Sequence, residues 1–153
     1  MTLTPAYRER LGVPLRWWVQ GTMLVATFWL AVVVAMPALA AWLVTAAMVA
    51  LLVFALWSYG SPQLVVSDGT FRAGRAHIDA RFLGAAAALD PEQTRRAAGV
   101  DADARAYLVL RPYLKRAVKV EITDPADPAP YWLVGTRHPE DLARALTALT
   151  HAH

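Results

Sequence analysis

The chain contains no cysteine, and no Asp, Glu, Lys or Arg occurs anywhere between Trp17 and Ser67. The absence of cysteine excludes a disulfide framework, a thiolate metal site and a cysteine nucleophile. Charged residues make up 18% of the chain, below the value of about 25% that is typical of soluble proteins. Because these charges are confined to the first 16 residues and to the part after Ser67, the pattern is typical of a membrane protein.

The uncharged stretch predicts two membrane-spanning helices. A span needs about 20 apolar residues, so roughly 50 uncharged residues hold two spans and a very short turn. We place the helices at 17–36 and 38–59, with Pro37 at the turn, since a proline inside one helix would break its hydrogen bonding. Trp29 and Trp42 are candidate residues for packing within the membrane.

The basic residues predict the orientation of this hairpin. They occupy both flanks, whereas the turn carries no charge: Arg8, Arg10 and Arg16 precede it, and Arg72, Arg75 and Arg81 follow it. By the positive-inside rule, both termini of this multi-pass protein lie in the cytoplasm, and the protein lies in the inner (cytoplasmic) membrane. Residues 1–16 form a cytoplasmic N-terminal segment that either lies along the membrane interface or is a tail.

Residues 63–150 predict a small cytoplasmic domain. The apolar patterns predict strands at 63–67, 70–78, 105–110, 116–123 and 131–136, with Asp68-Gly69 as a tight-turn dipeptide and a bulge or second bend at Gly74. Residues 81–89 are either a helix or a strand, and their position before a helix start favours the strand. Asp90, Pro91 and Gln93 predict a capped helix, and an amphipathic helix starts at Pro139. The fold class is therefore an α+β membrane protein: a transmembrane hairpin followed by a small antiparallel β-barrel or sheet closed by a C-terminal helix. This is the plan of pleckstrin-homology-like domains.

Several segments resemble those of a known family. Residues 7–11 with Trp17-Trp18, residues 111–114, 124–132 and 136–142 are similar to signature segments of the actinobacterial membrane family catalogued as domain of unknown function 3093. The resemblance implies a two-span protein of high-GC Gram-positive bacteria whose soluble part is similar to bacterial pleckstrin-homology-like domains. It implies no catalytic residue.

The residues themselves indicate no enzyme, cofactor or metal site. His77 and His138 each lack a second ligand at metal-binding spacing. Asp124 and Asp127 are candidates for acid–base chemistry or cation binding, but fixing a proline-rich turn is the more common role of such aspartates. No glycine-rich phosphate loop, nucleophile elbow or basic stretch suited to nucleic acid is found in the sequence.

A basic group gives the candidate lipid-binding or partner-binding site. Its members are Arg111, Lys115, Arg116, Lys119 and Arg137. Anionic lipids attract such side chains near the membrane surface. The alternative is an ordinary solvated edge, in which Lys119 faces Glu121 and Arg137 faces the Asp-rich loop.

Three functions follow from these features. The first is a non-enzymatic accessory, assembly or interaction module that binds membrane lipids and another membrane protein or a second copy of itself, with Trp29, Trp42 and Trp132 as anchors. The second is a domain that senses anionic lipid or a small ligand at the inner leaflet. The third is an enzyme that uses Asp124 and Asp127.

Overall fold

A computed structural model describes residues 6–152, so residues 1–5 of the predicted N-terminal segment lie outside the described part. The chain divides into two compact units. One contains residues 6–11 together with residues 62–152, and the other is Gly12–Ser61. The first unit is therefore interrupted by the second, because the chain leaves it after one strand and returns to it later.

The second unit is a helical hairpin. Helix α1 spans Leu15–Ala35 and helix α2 spans Ala38–Tyr59, which are 21 and 22 residues long. Both are long and apolar enough to cross a membrane. Pro37 occupies the N-cap of α2, where a missing N–H costs no helical hydrogen bond, so the predicted turn is at the right position.

Aromatic pairs join the two helices at both ends of the hairpin. The rings of Trp17 and Tyr59 stack with centroids 6.1 Å apart, and those of Trp29 and Trp42 are tilted with centroids 6.0 Å apart. The two predicted packing residues, Trp29 and Trp42, therefore pack on each other within one hairpin. Threonine hydroxyls within the helices donate to the carbonyl four residues earlier, as Thr45 does to Ala41 at 2.8 Å, which leaves these polar groups satisfied without water.

Four strands form the first sheet of the other unit, here called sheet A. They are β1 (Tyr7–Arg10), β2 (Gln63–Ser67), β3 (Thr70–Ala73) and β4 (Ala76–Asp79), all antiparallel in that order. The Asp68-Gly69 turn is confirmed, with φ values of 51° and 71°. Gly74, with φ of 64°, makes a second turn, so the single strand predicted at 70–78 is two strands.

Strand β1 was not expected from the sequence. The sequence predicts an interfacial piece or a tail for the N-terminal segment, yet Tyr7 to Arg10 pair with β2 along its length, from Tyr7 opposite Val66 to Arg10 opposite Gln63. The segment from Tyr7 to Leu11 therefore belongs to the first unit rather than to a separate region. Because this unit contains the domain predicted at 63–150, it is here called the soluble unit.

The second sheet, sheet B, is mixed. Its strands are β5 (Leu83–Leu89), β6 (Tyr107–Val109), β7 (Ala117–Ile122) and β8 (Tyr131–Gly135), in the spatial order β5-β7-β8-β6. Strand β6 runs parallel to β8, and the other pairs are antiparallel. Helix α3 (Pro91–Ala98) begins at the predicted capping box of Asp90 and Gln93, and helix α4 (Pro139–His151) closes the fold.

The prediction of a small antiparallel β-barrel or sheet is correct only in part, because the strands do not close into a barrel and sheet B is mixed. In residues 6–152 the strands form two separate four-stranded sheets. The ladder ends after β4, where residues Ala80–Phe82 form a 3-10 turn instead of continuing as a strand, and β6 adds to β8 in the parallel direction. The α+β class, the two apolar helices and the C-terminal helix are as predicted.

The main core lies between the inner faces of both sheets and α4. Phe71 of sheet A packs on Trp132 of sheet B with ring centroids 6.0 Å apart, and Leu142 and Leu146 of α4 join the same cluster. Tyr131 and Leu133 point to the opposite face of sheet B and form a smaller cluster with Ala97 of α3. Every residue of β8 is buried because its two faces belong to different clusters.

Candidate functional site

A polar cluster, which we call the Glu9 cluster, connects β1 to the segment between β8 and α4. It consists of Tyr7, Glu9, Thr136 and Arg137. The side chain of Glu9 is only 9% exposed. Its carboxylate accepts hydrogen bonds from the Tyr7 hydroxyl at 2.7 Å, from the Thr136 hydroxyl and from the Arg137 backbone N–H at 3.1 Å. A single buried carboxylate thus joins residues that are 127 positions apart in sequence.

Almost all polar groups of the Glu9 cluster have hydrogen-bond partners. The Arg137 guanidinium lies 3.9 Å from Glu9 and donates to the Arg10 carbonyl at 3.3 Å, while the Thr136 hydroxyl also accepts from the His138 N–H at 3.1 Å. Burial raises the pKa of the Tyr7 phenol above its usual value, and the Glu9 carboxylate raises that pKa further. Tyr7 therefore stays a neutral donor at physiological pH, and the arrangement suits holding two segments together rather than transferring a proton.

The two segments that meet in the Glu9 cluster belong to residues 7–11 and 136–142, which carry part of the family resemblance. No local pattern marks Glu9 or Thr136 as partners, because each lies in a short polar stretch. Sequence reasoning therefore missed this cluster. Both segments carry the resemblance, but the resemblance does not predict that they meet.

The aspartates proposed for acid–base chemistry stabilise their own loop. Asp124 accepts a hydrogen bond from the Ala126 N–H at 2.8 Å, and Asp127 accepts one from the Ala129 N–H at 2.9 Å. Both are Asx turns, which are the ordinary role of aspartate in such loops. His138 occupies the N-cap of α4. Within residues 6–152, no three His, Asp or Glu residues are grouped so that they could hold a metal ion.

The predicted basic group is divided between different parts of the soluble unit. Arg116 forms an ion pair with Glu140 of α4 on one face of sheet B, whereas Lys119 lies 4.3 Å from the ring centre of Tyr131 on the opposite face. Arg137 belongs to the Glu9 cluster. Arg111 is half-buried beyond the end of β6, and Lys115 is exposed. These residues do not form one continuous basic surface.

Of the predicted aromatic anchors, one is unavailable for a partner. Trp132 is only 4% exposed and packs on Tyr107 as well as Phe71. Trp42 remains 61% exposed on α2, and Trp29 packs against it. Trp132 is therefore a core residue, and the two hairpin tryptophans remain as predicted packing residues.

A different basic surface lies on the outer face of sheet A. Arg8, Val65, Arg72 and His77 are cross-strand neighbours in that order, one from each strand. The inward-pointing side chains of β2 and β3 are buried, while Arg8, Arg72 and His77 are exposed. Part of this face is an open depression of about 340 Å³. From the sequence alone, Arg8 and Arg72 indicate only the orientation of the hairpin, because the sequence does not predict the pairing of β1 with β2.

A family model described as "Protein of unknown function (DUF3093)" matches residues 6–146. The chain belongs to this family. The match confirms the resemblance inferred from the signature segments and includes β1, both apolar helices and most of α4. No curated protein and no solved structure matches the chain. For this DUF3093 protein, an actinobacterial origin and a similarity to pleckstrin-homology-like domains stay predictions.

Proposed function

We propose that this DUF3093 protein is a non-enzymatic accessory protein of the cytoplasmic membrane. Helices α1 and α2 cross the bilayer as a hairpin and anchor the soluble unit on the cytoplasmic side. The unit serves as an interaction module for another membrane protein or for a second copy of the chain. We also propose a second function, which is that the same anchored unit recognises anionic lipid. The distribution of its arginines favours this function.

The pairing of β1 with β2 is the observation that carries the hairpin topology of this proposal. β1 directly precedes α1 and β2 directly follows α2, and the two strands are neighbours in one sheet. The Leu11 N–H donates to the Pro62 carbonyl at 3.1 Å. If the helices cross a membrane, both ends of the hairpin must therefore be on the same side of it, because strands in one sheet cannot be separated by a bilayer.

The surface of the hairpin supports insertion in lipid. Many of its large apolar side chains are exposed, including Leu24 at 69%, Val34 at 87% and Phe54 at 65%. Apolar surfaces of this extent favour contact with lipid or with another membrane helix. Arginines flank both ends of the hairpin and none lies at its turn, and by the positive-inside rule this distribution supports a cytoplasmic location for the soluble unit.

Single cysteines test this topology, since the chain has no native cysteine. Ala38 at the hairpin turn and Ala126 in the loop of the soluble unit are both exposed, so Ala38→Cys and Ala126→Cys should fold normally. In intact cells, a membrane-impermeant maleimide should label Ala38→Cys and leave Ala126→Cys unlabelled. After the membrane is permeabilised, both variants should be labelled.

Ala6→Cys is the matched variant for the N-terminal side of the hairpin. Ala6 is exposed and its N–H donates to the Val66 carbonyl at 2.9 Å, so it should behave like Ala126→Cys. Labelling of Ala126→Cys in intact cells would contradict the cytoplasmic location. Opposite behaviour of Ala6→Cys and Ala126→Cys would contradict the hairpin itself.

A further inference from the structure

Twelve of the thirteen arginines of the chain, all except Arg111, fall into two groups by whether they form an ion pair with a carboxylate. Within residues 6–152, seven arginines form an ion pair with a carboxylate: Arg81, Arg95, Arg96, Arg105, Arg116, Arg137 and Arg144. Five others in the described part form none: Arg8, Arg10, Arg16, Arg72 and Arg75. All five lie in the segments that flank the hairpin, so the positive charge left without an acidic partner is concentrated there.

Three of these five arginines lie in strands of sheet A and a fourth lies in the turn between β3 and β4. We call the four the arginine face: Arg8, Arg10, Arg72 and Arg75. Arg8 and Arg72 are on either side of Val65 in one cross-strand row. Arg10 is opposite Gln63 in the next row, and the Gly74 N–H donates to the Gln63 carbonyl at 3.0 Å. The turn that carries Arg75 is therefore at the same end of the sheet as Arg10.

Charge changes sign along this face. The end with Arg10 and Arg75 is the end from which the chain runs into α1 and out of α2. Carboxylates lie at the opposite end, where Asp68 forms the turn and Asp79 pairs with Arg81 at 3.6 Å. Glu9 is in the same strand as Arg8 and Arg10, but its carboxylate is turned inward into the Glu9 cluster. The positive end of the sheet is therefore the end covalently closest to the helices.

We propose that the arginine face binds the headgroups of anionic phospholipids in the leaflet beside the hairpin. This inference rests on the proposed anchoring of the protein in the membrane. Arginine suits the task because its planar guanidinium pairs with phosphate oxygens through two hydrogen bonds. Since the chain enters and leaves the hairpin at the arginine end, anchoring keeps these side chains near the leaflet, where anionic lipid attracts basic residues.

The spacing of the arginines favours a lipid surface over a single small anion. Arg8 and Arg72 are separated by β2, which places their backbones about 10 Å apart. The face is an open sheet surface, and its depression is not enclosed. Side chains on separate strands of an open surface can meet several headgroups at once, whereas a site for one phosphate needs donors that converge on it.

Fluorescence of the full chain in lipid nanodiscs tests the proposal. His77→Cys provides one labelling position on the exposed β4 end of the face, and an environment-sensitive fluorophore is attached there. Discs contain phosphatidylcholine alone or equal parts phosphatidylcholine and phosphatidylglycerol. In the anionic discs we expect a blue shift of the emission and weaker quenching by acrylamide, and raising the salt concentration should reverse both effects because it screens the charges.

Two variants of equal net charge test whether the arginine face, rather than the overall charge of the protein, causes the response to phosphatidylglycerol. The first replaces Arg8, Arg10, Arg72 and Arg75 by Gln and should lose the response to phosphatidylglycerol. The second replaces the ion-paired Arg95, Arg96, Arg105 and Arg144 by Gln and should keep it. The salt measurement on the His77→Cys protein without these replacements decides the question if the first variant does not fold.

Three outcomes would overturn the inference. These are identical spectra of the inserted protein in both kinds of disc, an equal loss in both arginine variants, or the same shift on adding inorganic phosphate to phosphatidylcholine discs. Any of them leaves the anchoring intact, because the protein has entered the discs. Failure to enter either disc is a different result, and it contradicts the proposed membrane anchoring itself.

Discussion

Glu9 shows how one residue can link distant parts of this chain. It lies between two arginines in sequence, yet its carboxylate is turned inward to three hydrogen-bond donors while Arg8 and Arg10 are exposed. Alternation along β1 explains this, because successive side chains of a strand point to opposite faces. The same four-residue strand thus supplies a buried contact on one face and two positive charges on the other.

Glu9→Ala should destabilise the soluble unit. The change leaves the Tyr7 and Thr136 hydroxyls and the Arg137 N–H without their carboxylate acceptor, and the loss of such a buried acceptor costs about 2 kcal/mol. Denaturant unfolding of the detergent-solubilised protein, followed by tryptophan fluorescence, measures this free energy.

Arg8→Ala is the control, as it changes the neighbouring residue on the exposed face and should alter the free energy of unfolding by less than about 0.5 kcal/mol. Equal stabilities of the Glu9→Ala and Arg8→Ala proteins would show that the Glu9 cluster does not hold β1 in place.

At the scale of elements, the sequence predicted those that carry their own local pattern. Strand β2, the Asp68-Gly69 turn, the capping box of α3 and the start of α4 depend on neighbouring residues, and all four are confirmed. Strand β1 is different, because Tyr-Arg-Glu-Arg has no apolar alternation and its partner strand lies beyond the hairpin. The three-residue β6 also gives too short a pattern to reveal that it pairs parallel to β8.

The candidate sites also differ in whether they depend on residues close in sequence or on long-range strand pairing. Basic residues close in sequence suggested one surface, but Arg116 and Lys119 point to opposite faces of sheet B. Arg8 and Arg72 are far apart in sequence and become neighbours across β2 only through the pairing of β1. Which basic residues share a surface is therefore decided by long-range strand pairing, and a single sequence does not reveal that pairing.

Replacing the hairpin by a short loop should leave the soluble unit folded. In this variant, Gly12–Ser61 is replaced by a short glycine-serine turn, which can join Leu11 to Pro62 because their backbones are hydrogen-bonded at 3.1 Å. Strand β1 stays paired, and the apolar residues of the hairpin are removed. We expect a soluble monomer, with sharp near-ultraviolet circular dichroism and a single peak in size-exclusion chromatography.

A fragment that starts at Gln63 is the matched comparison. It lacks β1, so it exposes the edge of β2 and removes Tyr7, Glu9 and the buried Leu11. An exposed strand edge is prone to pairing with other chains, and we expect this fragment to aggregate. A well-folded monomer from residue 63 onward would show that β1 is dispensable.

At the scale of the whole molecule, topology and folding are coupled. The soluble unit is assembled from residues on both sides of the hairpin, so a chain whose two flanks ended on opposite sides of a membrane could not form sheet A. In the proposed topology, the basic residues of both flanks retain them in the cytoplasm. In our proposals, the flank arginines that form no ion pair have two roles, which are to set the orientation and to face the leaflet once the sheet has formed.

Neutralising the N-terminal flank should therefore impair folding as well as orientation. In Arg8→Gln/Arg10→Gln/Arg16→Gln, residues 1–16 retain no Lys or Arg, and part of the protein should insert with this segment outside. Where the flank after α2 nevertheless stays inside, β1 cannot reach β2, so a protease added to permeabilised cells should degrade the soluble unit, and less Ala38→Cys should be labelled in intact cells. The variant Arg95→Gln/Arg96→Gln/Arg105→Gln changes the net charge equally at ion-paired positions in the soluble unit and should keep both labelling and protease resistance. Loss of the N-terminal charges with no change in either measurement would mean that the pairing of β1 with β2, rather than the arginines, decides the orientation.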